Sequence, residues 1–274
     1  MTLQQALVQG TKLLEEGSIA APRLTAEVLL SHAIHADRPF LYAHSERELR
    51  EVEWIHYGRY LHERLNGKPT QYITGRQEFY GRDFRVTSDV LIPRPETELV
   101  VETALKVDAR RIIDVGCGSG AIAITLQSES HAQTYATDIS SAALGVAREN
   151  ARRLGAEVEF IQTDVMDSIA DRSMDAIVSN PPYVPLGERD GLQREVRDYE
   201  PETALFAGPT GFEIYRRLIG DAPRVLRHGG WLVLELGYNS RDRVRAMLGE
   251  GWREVRVVPD LAGIPRVLAA RWQP

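Results

Sequence analysis

The residues best suited to chemistry stand where apolar runs end. Asn180 follows the run MDAIV directly and precedes two prolines and a tyrosine in SNPPYVP. Two prolines forbid a helix and hold the residue before them extended, so the Asn180 amide is held still. Its carbonyl is one acceptor. The backbone carbonyl of Pro181, fixed in direction by Pro182, is a second. Side by side they match the two hydrogens of an NH2 group on a planar carbon, and Tyr183 is placed to lie against its flat face. Holding both hydrogens orients the nitrogen and favours its leaving the plane as its lone pair is released from conjugation, which is stabilisation concentrated in a transition state. The implied acceptors are a glutamine or asparagine side chain, adenine or cytosine. The competing reading is a rigid turn with no ligand.

A second cluster is DVGCGSGA, Asp114 to Ala121, between a strand and a helix. Gly116, Gly118 and Ala121, with Asp138 further on, also satisfy the loose dinucleotide fingerprint. Charge separates the two ligands. A dinucleotide brings an anionic pyrophosphate to this turn, where Asp114 would repel it. S-adenosylmethionine (AdoMet) brings a sulfonium and an ammonium, which a carboxylate favours, while its own carboxylate can face the free N–H groups of the helix start. Asp138 ends the next strand and suits the ribose hydroxyls. Asp164, with Val165 and Met166 after it, suits an adenine pocket with one polar and two apolar walls. Asp114, the glycines Gly116, Gly118 and Gly120, Asp138, Asp164 and Val165 are therefore the candidate cofactor set, with Cys117 and Ser119 inside the same turn and Asn180 beside it. Taken singly, Asp138 and Asp164 could equally cap the next elements. Cys117 reads as a small residue in a tight turn, with nothing near it in sequence to lower its pKa. The histidines show no metal-ligand spacing, and no metal is expected.

These residues need strands of one sheet to bring them together. RIIDV, QTYATD, EVEFIQTD, MDAIVSN and WLVLELG read as strands alternating with helices, which predicts a mostly parallel sheet covered on both faces. WREVRVVPD and RVLAARW follow with only LAGI between them, so the last strand should run antiparallel. The fold class is α/β, a Rossmann-like class I AdoMet methyltransferase sheet, preceded by a small helical bundle. In that bundle Leu3, Leu7, Leu13 and Leu14 recur at helical spacing before Gly17, Thr25 is a plausible cap, and Ser45 with Glu48 forms a capping box. Gly81-Arg82 is expected to turn a hairpin in EFYGRDFRV. The organisation expected is a bundle over 1–75, a hairpin linker over 76–92 and the AdoMet-dependent domain over 93–274. Residues 184–211 lack periodicity and read as a functional loop, a lid beside the site.

Bulk composition narrows the class. The chain of 274 residues is 43% hydrophobic and 26% charged, ordinary for a globular protein, with a formal net charge of -6. Neither half has an excess of basic residues, which weighs against a nucleic-acid partner. One cysteine excludes a disulfide framework within the chain. No signal-peptide core or membrane-length apolar run is present, so a cytoplasmic protein without a membrane partner is expected.

DVGCGSGAIAI, SNPPYVP, LIPRPETE, YEPETAL and DLAGIPRV together resemble the peptide chain release factor N5-glutamine methyltransferases (PrmC/HemK), over nearly the whole chain. The resemblance implies methyl transfer from AdoMet, leaving S-adenosyl-L-homocysteine, to the glutamine of the Gly-Gly-Gln tripeptide of class I release factors. It places Gly116 to Gly120, Asp138 and Val165 on the cofactor and Asn180 to Tyr183 on the glutamine. Relatives often carry an aromatic residue where Val165 stands. Arg94 and Glu96 lie in a family motif near the site. A sister family that methylates a glutamine of a large-subunit ribosomal protein shares NPPY, and LIPRPETE is closer to the release factor version. An adenine-N6 methyltransferase acting on a flipped base and a non-catalytic module recruiting a partner through the bundle are the other classes considered.

Overall fold

Thr2 starts the first helix because its hydroxyl accepts from the Gln5 N–H at 3.2 Å while the Gln5 side chain accepts from the Thr2 N–H at 3.0 Å. In the computed structural model, which describes residues 1–274, this helix is α1 (Leu3–Glu16), closed by Gly17. It is followed by α2 (Pro22–Ile34), α3 (Arg38–Ala43), α4 (Glu51–Leu65) and α5 (Thr70–Thr74). Pro22, at the first turn of α2, sets that start, so Thr25 lies inside the helix and is not its cap. The Ser45–Glu48 capping box does not form either. Backbone bonds tie this stretch to the chain start, Leu3 N–H to Arg47 C=O at 2.9 Å and Gln4 N–H to Ser45 C=O at 3.0 Å. The helix begins instead at Glu51, with Glu53 accepting from the Arg50 N–H at 2.9 Å.

Packing divides the chain into two units, residues 1–76 with 193–199, and residues 77–192 with 200–274. The helical unit buries Leu3, Leu7, Leu14, Leu29, Leu30, Tyr57 and Leu61 together. Its buried carboxylates are paired: Glu27 with Arg23, Arg38 and Tyr42, and Glu53 with Arg47 and Arg50. Helices α1 and α4 approach closely at Gly10, where an added Cβ would stand 1.9 Å from the Tyr57 hydroxyl oxygen.

The larger unit begins within β1 (Arg76–Phe79), which forms the hairpin with β2 (Arg82–Arg85). Its turn is Tyr80-Gly81, one residue earlier than expected. Both have positive φ, 52° and 71°, as a type I′ turn requires. The shift puts Phe79 and Phe84 on one buried face, ring centroids 6.0 Å apart. A 3-10 turn (Pro95–Thr97) leads into α6 (Glu98–Ala104). Then come β3 (Arg111–Val115), α7 (Ala121–Glu129), β4 (Gln133–Asp138), α8 (Ser141–Leu154), β5 (Val158–Gln162) and β6 (Met174–Ser179).

Residues 184–211 are not one long loop. They hold β7 (Val184–Pro185), a 3-10 turn (Leu186–Gly191), α9 (Arg194–Tyr199), α10 (Glu202–Leu205) and β8 (Phe206–Gly208), with β7 and β8 paired in parallel. Elements of two to six residues are too short to show a period. Helix α9 belongs to the helical unit, where Glu195 pairs with Arg64 at 2.5 Å and the Tyr199 hydroxyl donates to Asn66 C=O at 3.1 Å.

The chain ends with α11 (Glu213–Val225), β9 (Leu226–Glu235), α12 (Arg241–Ala246), β10 (Trp252–Pro259) and β11 (Pro265–Trp272). Sheet order is β10-β11-β9-β6-β3-β4-β5. Strands β3, β4, β5, β6 and β9 pair in parallel, and β11 is antiparallel to both neighbours. Alternation splits the strands between two faces. Ile113, Ile177 and Leu232 pack under α11, while Ile112, Ala176 and Val233 pack under α6 and α7. No helix is long and apolar enough to cross a membrane.

Gly10→Ala should destabilise the protein by about 1–3 kcal/mol through overpacking against Tyr57. The Tyr57 hydroxyl is buried without a hydrogen-bond partner, so Tyr57→Phe alone should cost almost nothing. The double variant should recover part of the Gly10→Ala loss in urea denaturation. Additive losses would contradict this contact.

Candidate functional site

The sheet reverses its strand order at β3, with β4 on one side and β6 on the other. Open α/β sheets bind ligands at the carboxyl ends of such a switch. Asp114 pairs with Val178 in register, so the glycine loop after β3 and the SNPPY segment after β6 leave the sheet side by side. The Ser179 hydroxyl donates to Val115 C=O at 2.6 Å and fastens the two exits. Between them opens a cleft of about 130 Å³, lined from both exits by Val115, Gly116, Gly118, Ser179, Asn180 and Pro181.

The glycines of the loop have different reasons. Gly116 and Gly118 have φ of 76° and 53° and line the cleft, and a Cβ on either would meet no atom within 4 Å. They leave room. At Gly120 a Cβ would stand 2.9 Å from Ile124 and 3.2 Å from Ala147, so glycine there lets α7 approach α8. Ser119 is buried and its C=O accepts from Asn150 at 2.9 Å, anchoring the loop to α8. Cys117 is buried, and burial first, then Asp114 and Asp138, push its thiol well above the usual range. It is not an activated nucleophile.

Asp138 lines the cleft and shapes the loop. One oxygen accepts from the Gly118 N–H and the other from the Ser140 N–H, each at 2.9 Å. Asp114 does not line the cleft. It is fully buried beneath the loop, with one oxygen accepting from the Ala123 N–H at 3.1 Å and the other without a partner. Burial pushes its carboxyl up to about 7, against the Ala123 bond and with Asp138 adding to the rise. Asp164 and Val165 both line the cleft. Asp164 is paired with Arg217 at 2.9 Å. Val165 takes a left-handed φ of 50°, and its C=O accepts from Thr137 at 3.0 Å. Met166, expected as a second apolar wall, is buried in the core instead.

Asn180, Pro181 and Pro182 line the cleft. The Tyr183 ring does not. It lies against the turn after β9, so close that a Cβ on Gly237 would be 2.8 Å from it. Burial, and then Glu235, push its phenol up to about 12. Two residues absent from the candidates read in sequence act on Asn180 directly or at one remove. The Asn180 side-chain nitrogen donates to the Thr97 hydroxyl at 3.1 Å, and that hydroxyl donates to Glu235 at 2.6 Å. Thr97 stands in PRPETE, beside Arg94 and Glu96, whereas Glu235 ends a plain apolar strand and carries no motif. Arg94 pairs with Glu200 at 2.6 Å, and Glu96 lies 3.8 Å from Arg266.

This arrangement fits AdoMet. The glycine cradle is open where a side chain would fill it and Asp138 stands at the cleft wall, whereas Asp114, expected to meet the sulfonium, lies buried beneath the loop. No group of His, Cys, Asp and Glu is arranged to hold a metal ion.

Residues 5–75 match the PrmC N-terminal domain family, and residues 95–193 match the Methyltransferase small domain family. The chain is 46% identical to the release factor glutamine methyltransferase of Koribacter versatilis over 277 residues, covering 99% of both chains. It is 44% identical to that of Moorella thermoacetica, covering 98% of both. Among solved structures, a methyltransferase from Pyrococcus furiosus superposes with a TM-score of 0.56 at 16% identity, over 72% of this chain and 91% of that one, which shows the fold. With relatives this similar along its entire length, the chain belongs to the release factor glutamine methyltransferase family.

Proposed function

We propose that this enzyme transfers the methyl group of AdoMet to the side-chain nitrogen of the glutamine in the Gly-Gly-Gln tripeptide of class I peptide chain release factors, in the cytoplasm. The observation that carries the reading is the Asn180 amide, held by Thr97 through its nitrogen at 3.1 Å, which leaves the oxygen end for a ligand. That oxygen and the Pro181 carbonyl form the acceptor pair for an NH2 group, beside a cleft suited to the donor.

AdoMet supplies an electrophilic methyl on a positively charged sulfur. The chain itself supplies position. Gly116 and Gly118 would give room for the cofactor at the loop, Asp138 would accept from its ribose, and Val165 would pack against its base. Asn180 and Pro181 would hold the two amide hydrogens of the glutamine as its nitrogen leaves the carboxamide plane, which frees the lone pair from conjugation to face the donor. No general base is needed before transfer, because the nitrogen attacks through that lone pair. The sulfur–methyl bond breaks as the nitrogen–methyl bond forms, and the methylated nitrogen then releases one of its hydrogens as a proton to solvent. The problem is one of orientation, where effective molarities are large. Tyr183 supports the segment from the Gly237 side, and the rigidity of Pro181-Pro182 keeps the acceptors from relaxing.

Mass spectrometry of a purified release factor after incubation with the enzyme and AdoMet should show one added methyl on the tripeptide glutamine, absent from a Gln→Ala factor. An unmodified factor would refute the substrate. Asn180→Ala should lower kcat by roughly 10²–10³, as the loss of one preorganised hydrogen-bonding group does, with AdoMet affinity almost unchanged by calorimetry. Equal loss of both would make Asn180 a structural residue. Gly118→Val should do the reverse of Asn180→Ala at the first step: the side chain fills the cradle and AdoMet binding disappears from the calorimetric trace. Retained affinity would put the cofactor elsewhere.

A further inference from the structure

Asn180 can hold an NH2 group only if its oxygen, not its nitrogen, faces the cleft. The two ends of a carboxamide are nearly the same size, so shape cannot choose between them. Hydrogen bonding can. We propose that Glu235, acting through Thr97, sets which end of the Asn180 amide is presented, a positioning role that rests on the acceptor reading above.

The chain of bonds has one direction. Glu235 is 3% exposed and Thr97 4% exposed, so water does not compete for either. An ionised carboxylate has no hydrogen to give, so the Thr97 hydroxyl gives its single proton to Glu235, at 2.6 Å. Only lone pairs remain on that hydroxyl, and they accept the Asn180 N–H at 3.1 Å. The nitrogen end is thereby turned to Thr97 and the oxygen end away from it. Strand pairing puts the members in reach: β6 and β9 run parallel with Ser179 opposite Leu234, one residue before each functional group. Tyr215 holds the end of β9 still, its hydroxyl donating to Glu235 C=O at 2.7 Å and accepting from the Gly237 N–H at 3.1 Å.

Protonation of Glu235 removes the direction. A neutral carboxyl can hand its proton to Thr97, which can then donate to the Asn180 oxygen and turn the amide over. Two NH2 groups would then face each other, donor against donor. Around Glu235 stand Arg94 and Glu96 from the segment before α6, Arg266 from β11, and the phenols of Tyr183 and Tyr215. Burial pushes its carboxyl up to about 7. The Thr97 bond opposes that rise, Glu96 adds to it, and Arg266 and Arg94 work against it. Activity should therefore be present above this value and fall as pH drops through it.

The test reads the amide directly. With selective 15N-asparagine labelling, the Asn180 side-chain signal, assigned by its loss in Asn180→Asp, should shift as pH crosses about 7 in the wild-type protein. It should stay in place in Glu235→Gln and Thr97→Val, and titrate as before in Thr97→Ser. In methyl transfer, Thr97→Val should lower kcat by roughly 10- to 100-fold, the cost of a misplaced reacting group. AdoMet affinity should hold, and Thr97→Ser should restore most of the rate. Glu235→Gln should flatten the acid limb of kcat, which separates Glu235 from Asp114, the other carboxyl in that range. An Asn180 signal indifferent both to pH and to Thr97→Val would overturn the proposal while leaving glutamine methylation intact. A signal that titrates as described, in a protein that leaves release factors unmethylated, would support the relay and remove the substrate reading instead.

Discussion

Everything at the site depends on the parallel pairing of β3 with β6. One residue of slip would turn every side chain of β6 to the other face, moving Ile177 out of its core and Val178 out of the opposite one. The register Asp114 with Val178 is therefore fixed by burial on both faces. Because it is fixed, the glycine loop and the asparagine segment emerge next to each other, and the Ser179 bond to Val115 closes the gap between them. The apolar interior thus sets the distance between the glycine loop and the asparagine segment, fastened by a bond between residues 64 apart in sequence.

The elements whose periods are long enough were legible in the sequence. The alternating strands and helices gave the mostly parallel sheet, and the short link before RVLAARW gave the antiparallel final strand. Several boundaries were not. Thr25 and Ser45 have the side chains of caps, yet Pro22 and the backbone bonds of Met1–Gln4 decide where those helices begin. The hairpin turn moved one residue because φ must be positive at two successive positions, and Tyr80 accepts that strain to seat both phenylalanines inside. Residues 184–211 break into pieces too short to carry a pattern.

At the site itself, local motifs were readable and their tertiary partners were not. Gly116, Gly118, Asp138, Asp164, Val165 and Asn180 to Pro182 all reach the cleft, as their places at strand ends require. Asp114 lies beneath it and Tyr183 behind it, since a residue inside a strand or after two prolines can face either way. Glu235 had no local signal at all. A glutamate closing an apolar strand looks like an ordinary strand end until β6 is found next to β9.

Asp114 and Glu235 share a physical predicament. Each is a carboxyl buried at the end of a central strand, and desolvation, the largest influence on both, raises each to about 7. A carboxyl whose pKa is higher folded than unfolded contributes stability below its unfolded value and loses that contribution as pH rises through the folded one. Near neutral pH both residues therefore sit where ionising them works against the fold. A core selected for stability alone would replace them with apolar side chains. Beneath the glycine loop and behind Asn180 the two carboxyls stand where one keeps an unsatisfied oxygen and the other holds the hydroxyl that meets the asparagine amide. Burying a carboxyl at each of these positions trades stability for a directional acceptor beside the cleft.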